Sequence, residues 1–189
     1  MLANLFTRMS FTSVPFLLPL FLQTGFHYTP ANSGLLLMPM AFGVVASKLF
    51  VAPLLKYLGY RRYLVINTIL VALLVAIFAL VSSNTPWLII AVLTFFYGII
   101  TSVQFSGMNS LAYMEVNHQE MSSATSFVGT LQTFSQSLGV AVAALLLHFV
   151  AFTVNTTLVN PIVFKLAFVI LGVFTLISVM IFFRLKKGL

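Results

Sequence analysis

Cysteine is absent from this 189-residue chain, and acidic residues are nearly absent, with two Asp+Glu against nine Lys+Arg. Without cysteine the chain can form no disulfide, no thiolate metal site and no thiol nucleophile. Charged residues of both signs make up 6% of the sequence, whereas soluble domains carry roughly 25%. The shortage of charge therefore excludes an ordinary water-soluble domain.

Hydrophobic residues make up 61% of the chain, and the mean hydropathy is +1.13. A bilayer core about 30 Å thick needs roughly 20 apolar residues per helical crossing, and the apolar runs here are too long and uniform for membrane β-strands of about ten residues. We therefore predict an all-α membrane protein, a single bundle of six transmembrane helices. The predicted segments are A (Leu2–Gln23), B (Pro30–Tyr57), C (Tyr63–Val81), D (Pro86–Tyr113), E (Ser122–Phe152) and F (Pro161–Phe183).

The basic residues indicate the orientation of the bundle. Short cytoplasmic loops of membrane proteins carry an excess of Lys and Arg, and the A–B, C–D and E–F loops here contain neither. We therefore expect a multi-pass protein of the cell (inner) membrane with both termini in the cytoplasm. The net charge of +7 is then a topology signal and not a sign of a nucleic acid partner. The basic residues of the B–C loop and the C-terminus are Lys56, Arg61, Arg62, Arg184, Lys186 and Lys187.

Loop residues predict where the helices begin. Each predicted outer loop ends in a capping residue followed by proline, at Thr29–Pro30, Thr85–Pro86 and Asn160–Pro161. The cap accepts a hydrogen bond from a free backbone N–H, and proline at the first helical position has no N–H to leave unpaired. Asn117 followed by Glu120 is a variant of the capping box and predicts the start of segment E.

Several strings, in this order and spacing, resemble a known family. They are Pro15–Gln23, Gly34–Pro39, Gly59–Arg62, Phe105–Ser110 and Ser137–Val140. Together they resemble the second half of drug exporters of the major facilitator superfamily, in particular the fourteen-span drug:proton antiporters and, among these, the MdtD-type group. The likeness extends over most of the first 147 residues and weakens in segment F.

The resemblance implies one half of a secondary active transporter that exports lipophilic compounds by alternating access. Such a transporter has two six-helix bundles around a central cavity, so the chain is expected to be incomplete without an N-terminal six-helix half. The implied partners are this half, the lipid bilayer and a small lipophilic substrate. The resemblance implies neither an enzyme nor a cofactor.

The B–C loop resembles the cytoplasmic gating loop of the family, so Lys56, Gly59, Arg61 and Arg62 are gating-loop candidates. The family pattern begins with Gly and has an acidic residue four positions on, where this sequence has Ala52 and Lys56. The charge is reversed, so the acid–base latch of the family is not carried over. The alternative interpretation is a basic loop that only sets the topology.

Three cations fall within predicted segments, namely Arg8, Lys48 and Lys165. Charge in lipid is costly, which makes such residues functional candidates. Arg8 and Lys48 could line a cytoplasm-facing cavity, attract anionic groups or pair with carboxylates of a second half; alternatively they extend to the cytoplasmic headgroups, as we expect of Lys165 at the outer end of segment F. The acids, Glu115 and Glu120, both fall in the D–E loop, so a coupling carboxylate is expected on another polypeptide.

Neutral polar residues concentrate in segments D and E. Amides are costly in lipid, so we take four of them as candidates for lining a substrate cavity, with a helix interface as the alternative. These are Gln104, Asn109, Gln132 and Gln136. Small hydroxyls repeat along one face of segment E, a pattern typical of helix packing; they belong to Ser122, Ser126, Thr130, Thr133 and Ser137.

The sequence leaves two alternative functions to consider, an intramembrane enzyme and a membrane scaffold. An intramembrane enzyme needs a nucleophile with its base or a metal-binding cluster, and the sequence contains no GxSG or HExxH string and no intramembrane acid pair. We therefore predict no catalytic residues, no metal site and no cofactor. A membrane fragment or scaffold that inserts without transporting is the other alternative.

Overall fold

A computed structural model describes residues 2–114 and 116–183 of the chain, and every regular element within them is helical. The prediction of an all-α protein is thus confirmed. Five helices follow one another, with short turns of tighter or wider helix at Phe21–Gly25, Phe78–Leu80 and His118–Glu120. They are α1 (Leu2–Leu20), α2 (Pro30–Ile77), α3 (Trp87–Tyr113), α4 (Met121–Thr153) and α5 (Pro161–Phe183).

Helix α2 contains predicted segment B and most of predicted segment C, and it is broken at Gly59. This glycine has φ 66° and ψ 158°, whereas the residues on either side continue as helix. A side chain strains such a backbone, so glycine is the residue that adopts it readily. The 48 residues of α2 would extend about 72 Å if straight, against about 40–45 Å for a whole bilayer. Gly59 divides this length into an N-terminal arm, 30–58, and a C-terminal arm, 60–77.

Two of the predicted helix caps are confirmed. The side-chain oxygen of Thr29 accepts a hydrogen bond from the backbone N–H of Asn32 at 3.2 Å. The Asn160 side chain accepts one from the N–H of Ile162 at 3.1 Å. In both cases proline follows the cap as the first helical residue, so the start of the helix is fixed by local chemistry.

The other two predicted caps are wrong. Helix α3 begins at Trp87, and the Thr85 hydroxyl instead accepts a hydrogen bond from the N–H of Ser82 at 2.9 Å, which closes the preceding turn. The expected capping box before α4 is replaced by a short turn in which the N–H of Glu120 bonds the carbonyl of Asn117 at 3.0 Å. In each case a local turn uses a group expected to form the cap, namely the hydroxyl of Thr85 and the N–H of Glu120.

Helices α2 and α3 form one packed pair, α1 and α4 form another, and α5 packs against a helix of each pair. Helix α2 packs mainly on α3 and α5, and α1 packs mainly on α4 and α5. Buried aromatic rings join the pairs: the rings of Phe21 and Phe164 stack with centroids 5.3 Å apart, and those of Phe78 and Phe168 are 5.8 Å apart. Close packing of this kind supplies much of the contact energy between membrane helices, since lipid is as apolar as the side chains.

Two glycines bring α2 and α3 together backbone to backbone. A Cβ atom on Gly98 would overlap the carbonyl oxygen of Met40, and one on Gly43 would overlap the carbonyl oxygen of Phe95. Small residues permit such an approach between membrane helices. The N-terminal arm of α2 is thereby held tightly against α3.

Within the described residues, four helices are long and apolar enough to cross a membrane: Pro30–Leu80, Trp87–Tyr113, Met121–Thr153 and Pro161–Met180. Large apolar side chains lie on their outer surfaces, for example Leu49, 76% exposed, and Phe152, 83% exposed. Such a surface would aggregate in water and is ordinary against lipid. The fold is therefore that of a multi-pass membrane protein.

Candidate functional site

An open cavity of about 420 Å³ lies among α1, the N-terminal arm of α2, α3 and α4. Positions 8, 11, 12 and 15 of α1 and positions 40, 44 and 48 of α2 line it. These spacings of three and four residues place each set on one helix face. The full lining is Arg8, Phe11, Thr12, Pro15, Met40, Val44, Lys48, Thr101, Ser102, Phe105 and Gln136.

Arg8 is held in place on the wall of this cavity. Its side chain is only 3% exposed, and one guanidinium nitrogen donates to the Asn109 side-chain oxygen at 2.6 Å. The guanidinium carbon lies 4.4 Å from the centroid of the Phe105 ring. A charge-assisted hydrogen bond and a cation–π contact both orient the group. This arrangement favours the cavity-lining interpretation of Arg8 over extension to the headgroups.

Besides Thr12 on α1, the wall has polar groups from three other helices. Lys48 is exposed on the N-terminal arm of α2, and Gln136 is half-buried on α4. The Ser102 hydroxyl lies 2.7 Å from that of Ser47, a hydrogen bond that joins α3 to α2 beside the cavity. Two cations, several hydroxyls and an amide thus share the wall with aromatic and aliphatic side chains, and none of the described lining residues is acidic.

Gln104 lies elsewhere, in the interface between α3 and the C-terminal arm of α2. It is 0% exposed, and its amide nitrogen donates to the Thr68 hydroxyl at 2.8 Å. Its oxygen accepts from the Asn67 side chain at 2.8 Å, and Asn67 also donates to the Ile100 carbonyl. Both the oxygen and the nitrogen of the Gln104 amide thereby have protein partners, as burial requires.

The structure therefore brings three of the six cavity candidates to one place. Arg8, Lys48 and Gln136 line the cavity. Asn109 does not belong to the described lining, but its side-chain oxygen accepts a hydrogen bond from Arg8, which does. Gln104 and Gln132 do not belong to its described lining.

The gating-loop candidates lie around the break in α2. Lys56 and Arg62 are exposed, Arg61 is half-buried, and Gly59 is the break itself. Beyond the break, the Tyr63 hydroxyl donates to the carbonyl of Val103 and so fixes the C-terminal arm to α3. The role of these residues as a gate stays a prediction. The D–E loop residue Glu115 and the C-terminal Arg184, Lys186 and Lys187 lie outside the described residues.

The hydroxyl stripe of segment E does not lie between helices of this chain. All its members are exposed on α4, and each hydroxyl after the first donates to the carbonyl four residues earlier at about 3 Å. None of the described helices packs against the stripe, so the expectation of helix packing stays a prediction. The stripe forms an exposed polar face, 122–137, on an otherwise apolar helix.

Sequence reasoning missed several residues of the site and its support. Thr12 could have been found, because it lies four residues after Arg8 and so shares its helix face; its hydroxyl donates to the Arg8 carbonyl at 2.9 Å. Asn67 and Thr68 stand in the long apolar stretch of segment C. Nothing in the local pattern shows that they meet Gln104, which is 37 residues beyond Asn67.

Comparison with known proteins places these features in a family. The family model described as Major Facilitator Superfamily matches residues 1–188. Among curated proteins, one from Pectobacterium carotovorum subsp. carotovorum (strain PC1) is 36% identical over 144 residues, which is 76% of this chain and 31% of the relative. No solved structure matches the chain.

Two further relatives give the same picture. One from Enterobacter sp. (strain 638) is 36% identical over 140 residues, or 74% of this chain and 30% of the relative. One from Yersinia enterocolitica serotype O:8 / biotype 1B is 33% identical over 147 residues, or 78% of this chain and 31% of the relative. All three carry the name "Putative multidrug resistance protein MdtD". The matched part of the chain spans about 31% of the length of these relatives.

Proposed function

The chain belongs to the Major Facilitator Superfamily, and we propose that it supplies one half of a secondary active transporter that exports lipophilic compounds by alternating access. The observation that carries this proposal is the cavity formed by α1, α2, α3 and α4, since a wall that mixes aromatic, aliphatic and polar groups suits amphipathic molecules. The multidrug resistance names of the relatives agree with it. Membership of the family supports a transporter rather than an enzyme.

Six crossings of the inner membrane follow if each arm of α2 crosses separately. The C-terminal arm, 60–77, is close to the roughly 20 residues that span a bilayer, and the N-terminal arm, 30–58, is long enough to cross with a tilt, whereas the unbroken helix is far too long. With α1, α3, α4 and α5, the two arms make a single six-helix bundle. An even number of crossings places both termini on one side, and the basic residues around Gly59 favour the cytoplasm.

The exposed polar face of α4, 122–137, is where we propose that the N-terminal half packs. Hydroxyl-bearing and glycine residues permit close approach between membrane helices. A Cβ atom added to Gly129 on this face would meet nothing within 4 Å, so there is open space beside it. The matched relatives are about three times as long as the matched part of this chain, which leaves room for such a half. Packing there would enclose the cavity from the side of α4.

Proton coupling, if present, would use a carboxylate of that second half. Glu120 is exposed in the turn before α4, and the described residues of the membrane-spanning helices include no Asp or Glu. The basic loop residues Lys56, Arg61 and Arg62 are then proposed to set the orientation and to border the cytoplasmic side of the cavity.

Co-expression tests the proposed half-transporter. We expect cells that make this chain together with a matching N-terminal half to extrude the neutral lipophilic dye Nile red, whereas cells with either piece alone retain it. The physical reason is that alternating access needs two bundles moving against each other around the cavity. Dye fluorescence in energised and de-energised cells measures the extrusion. Export by this chain alone at the rate of the pair would contradict the proposal.

Cysteine labelling tests the orientation. The chain has no cysteine of its own, so single substitutions report cleanly. Asn84→Cys and Gln119→Cys form a matched pair, because both positions are exposed in loops and neither change alters the charge. We expect a membrane-impermeant maleimide to label Asn84→Cys in intact cells and to label Gln119→Cys only after the cells are permeabilised. The reverse pattern would refute the cytoplasmic placement of the termini.

A further inference from the structure

The part of the cavity wall that this chain supplies is positively charged. Arg8 and Lys48, which lie on different helices, both contribute to its wall, and its described lining includes no carboxylate. A lipophilic cation entering this space would approach two like charges in a medium of low dielectric, which is unfavourable. An anion would meet two opposite charges there.

We propose that the cavity binds an amphipathic organic anion, a carboxylate on an aromatic or aliphatic body. The inference rests on the proposed function only in taking this cavity as a substrate site. It deepens that function by naming the charge of the substrate.

Arg8 is oriented to bind such a carboxylate. Asn109 bonds one end of its guanidinium at 2.6 Å and the ring of Phe105 supports it at 4.4 Å, so the planar group is fixed before a ligand arrives. A guanidinium can bind a carboxylate with two parallel hydrogen bonds. Lys48, exposed on α2, is a flexible second charge that can follow ligands of different shape.

The rest of the wall suits the body of the same ligand. Phe11, Met40 and Val44 supply apolar surface on α1 and α2, and Thr12 and Thr101 add hydroxyl groups to the same lining. A volume of about 420 Å³ is within the range of small-molecule sites, roughly 300–1,000 Å³. The lining thus combines charged and apolar groups, as an amphipathic molecule does.

A matched pair of probes tests the proposal. The full chain is reconstituted in lipid nanodiscs, and equilibrium dialysis measures the binding of 1-naphthoate and of 1-naphthylmethylammonium, which share a ring system and differ in charge. Empty nanodiscs correct for partition into lipid. We expect 1-naphthoate to bind at least about tenfold more tightly. Lys48→Gln should weaken 1-naphthoate by about tenfold, the contribution of one charge-assisted hydrogen bond, and should not weaken 1-naphthylmethylammonium.

Lys165→Gln is the control, because this lysine on α5 does not belong to the cavity lining and its loss should leave both affinities unchanged. Arg8→Gln is expected to weaken the binding of 1-naphthoate as Lys48→Gln does, and Arg8→Lys to weaken it less. Because Arg8 also packs against Phe105, the Arg8 variants could fail to fold. In that case the variant of the exposed Lys48 decides the test. Equal or tighter binding of the cation by the unaltered chain, or no effect of Lys48→Gln on 1-naphthoate, would overturn the inference. If the binding test fails but the paired halves extrude Nile red, the proposed function stands and the anion site does not. If the chain binds the anion selectively but the paired halves do not extrude the dye, only the proposed function is contradicted.

Discussion

Gly98→Ala is expected to lower the unfolding temperature of the purified chain by roughly 2–12 °C, from an overpacking cost of about 1–3 kcal/mol. The new Cβ atom would overlap the carbonyl oxygen of Met40. That oxygen belongs to backbone and cannot rotate away as a side chain could. Helices α2 and α3 must therefore separate, which also strains the hydrogen bond from the Thr94 hydroxyl to the Leu36 carbonyl, 2.9 Å long. Size-exclusion chromatography of samples heated in detergent measures the change.

Gly34→Ala is the matched control for this change. It lies in the same N-terminal arm of α2, is exposed, and has nothing within 4 Å of a built Cβ atom. Alanine is favoured over glycine in a helix by about 1 kcal/mol, so this variant should keep or slightly raise the unfolding temperature. Gly43→Ala, which presses on the Phe95 carbonyl, should resemble Gly98→Ala. Equal stability of Gly34→Ala and Gly98→Ala would show that the two helices do not approach as described.

The helical fold was predictable because the bilayer leaves few choices. A long apolar run must satisfy its own backbone hydrogen bonds, and a helix does this within one segment. Proline after a capping residue then located two helix starts, at Pro30 and Pro161. The start of α3 was misjudged, because Thr85 could cap a helix or close the turn with Ser82, and the sequence does not show which bond is made.

The site was less predictable, because it depends on contacts between distant residues. Helical spacing shows that Arg8 and Thr12 share a face, yet nothing in it shows that this face meets α3. The partner of Arg8 is Asn109, 101 residues away. Gln104 and Gln136 looked alike as amides in apolar segments, although the first is buried against Asn67 and the second lines the cavity. The difference is set by how the helices are rotated about their axes.

Gly59 illustrates the same limit within one helix. The loop string Gly59–Arg62 suggested a gate because it resembles the gating loop of the family, whereas the structure gives the glycine a backbone role. Its φ of 66° and ψ of 158° let two helical arms meet without a long loop. The basic residues can then set the orientation only because the chain breaks there and exposes both Lys56 and Arg62.

Gly59→Ala is accordingly expected to lower the unfolding temperature by roughly 2–12 °C, because a side chain in this backbone region costs about 1–3 kcal/mol. Gly59→Asn is the sharper test. Asparagine tolerates a positive φ when ψ is about 30–60°, and the observed ψ of 158° lies far outside that range. It should therefore destabilise the chain as much as alanine does. Gly129→Ala, on the exposed face of α4 with nothing within 4 Å, is the control and should cause no loss. If Gly59→Asn were as stable as the unaltered chain, residue 59 would have to be in the left-handed helical conformation, and the break in α2 would be an ordinary turn.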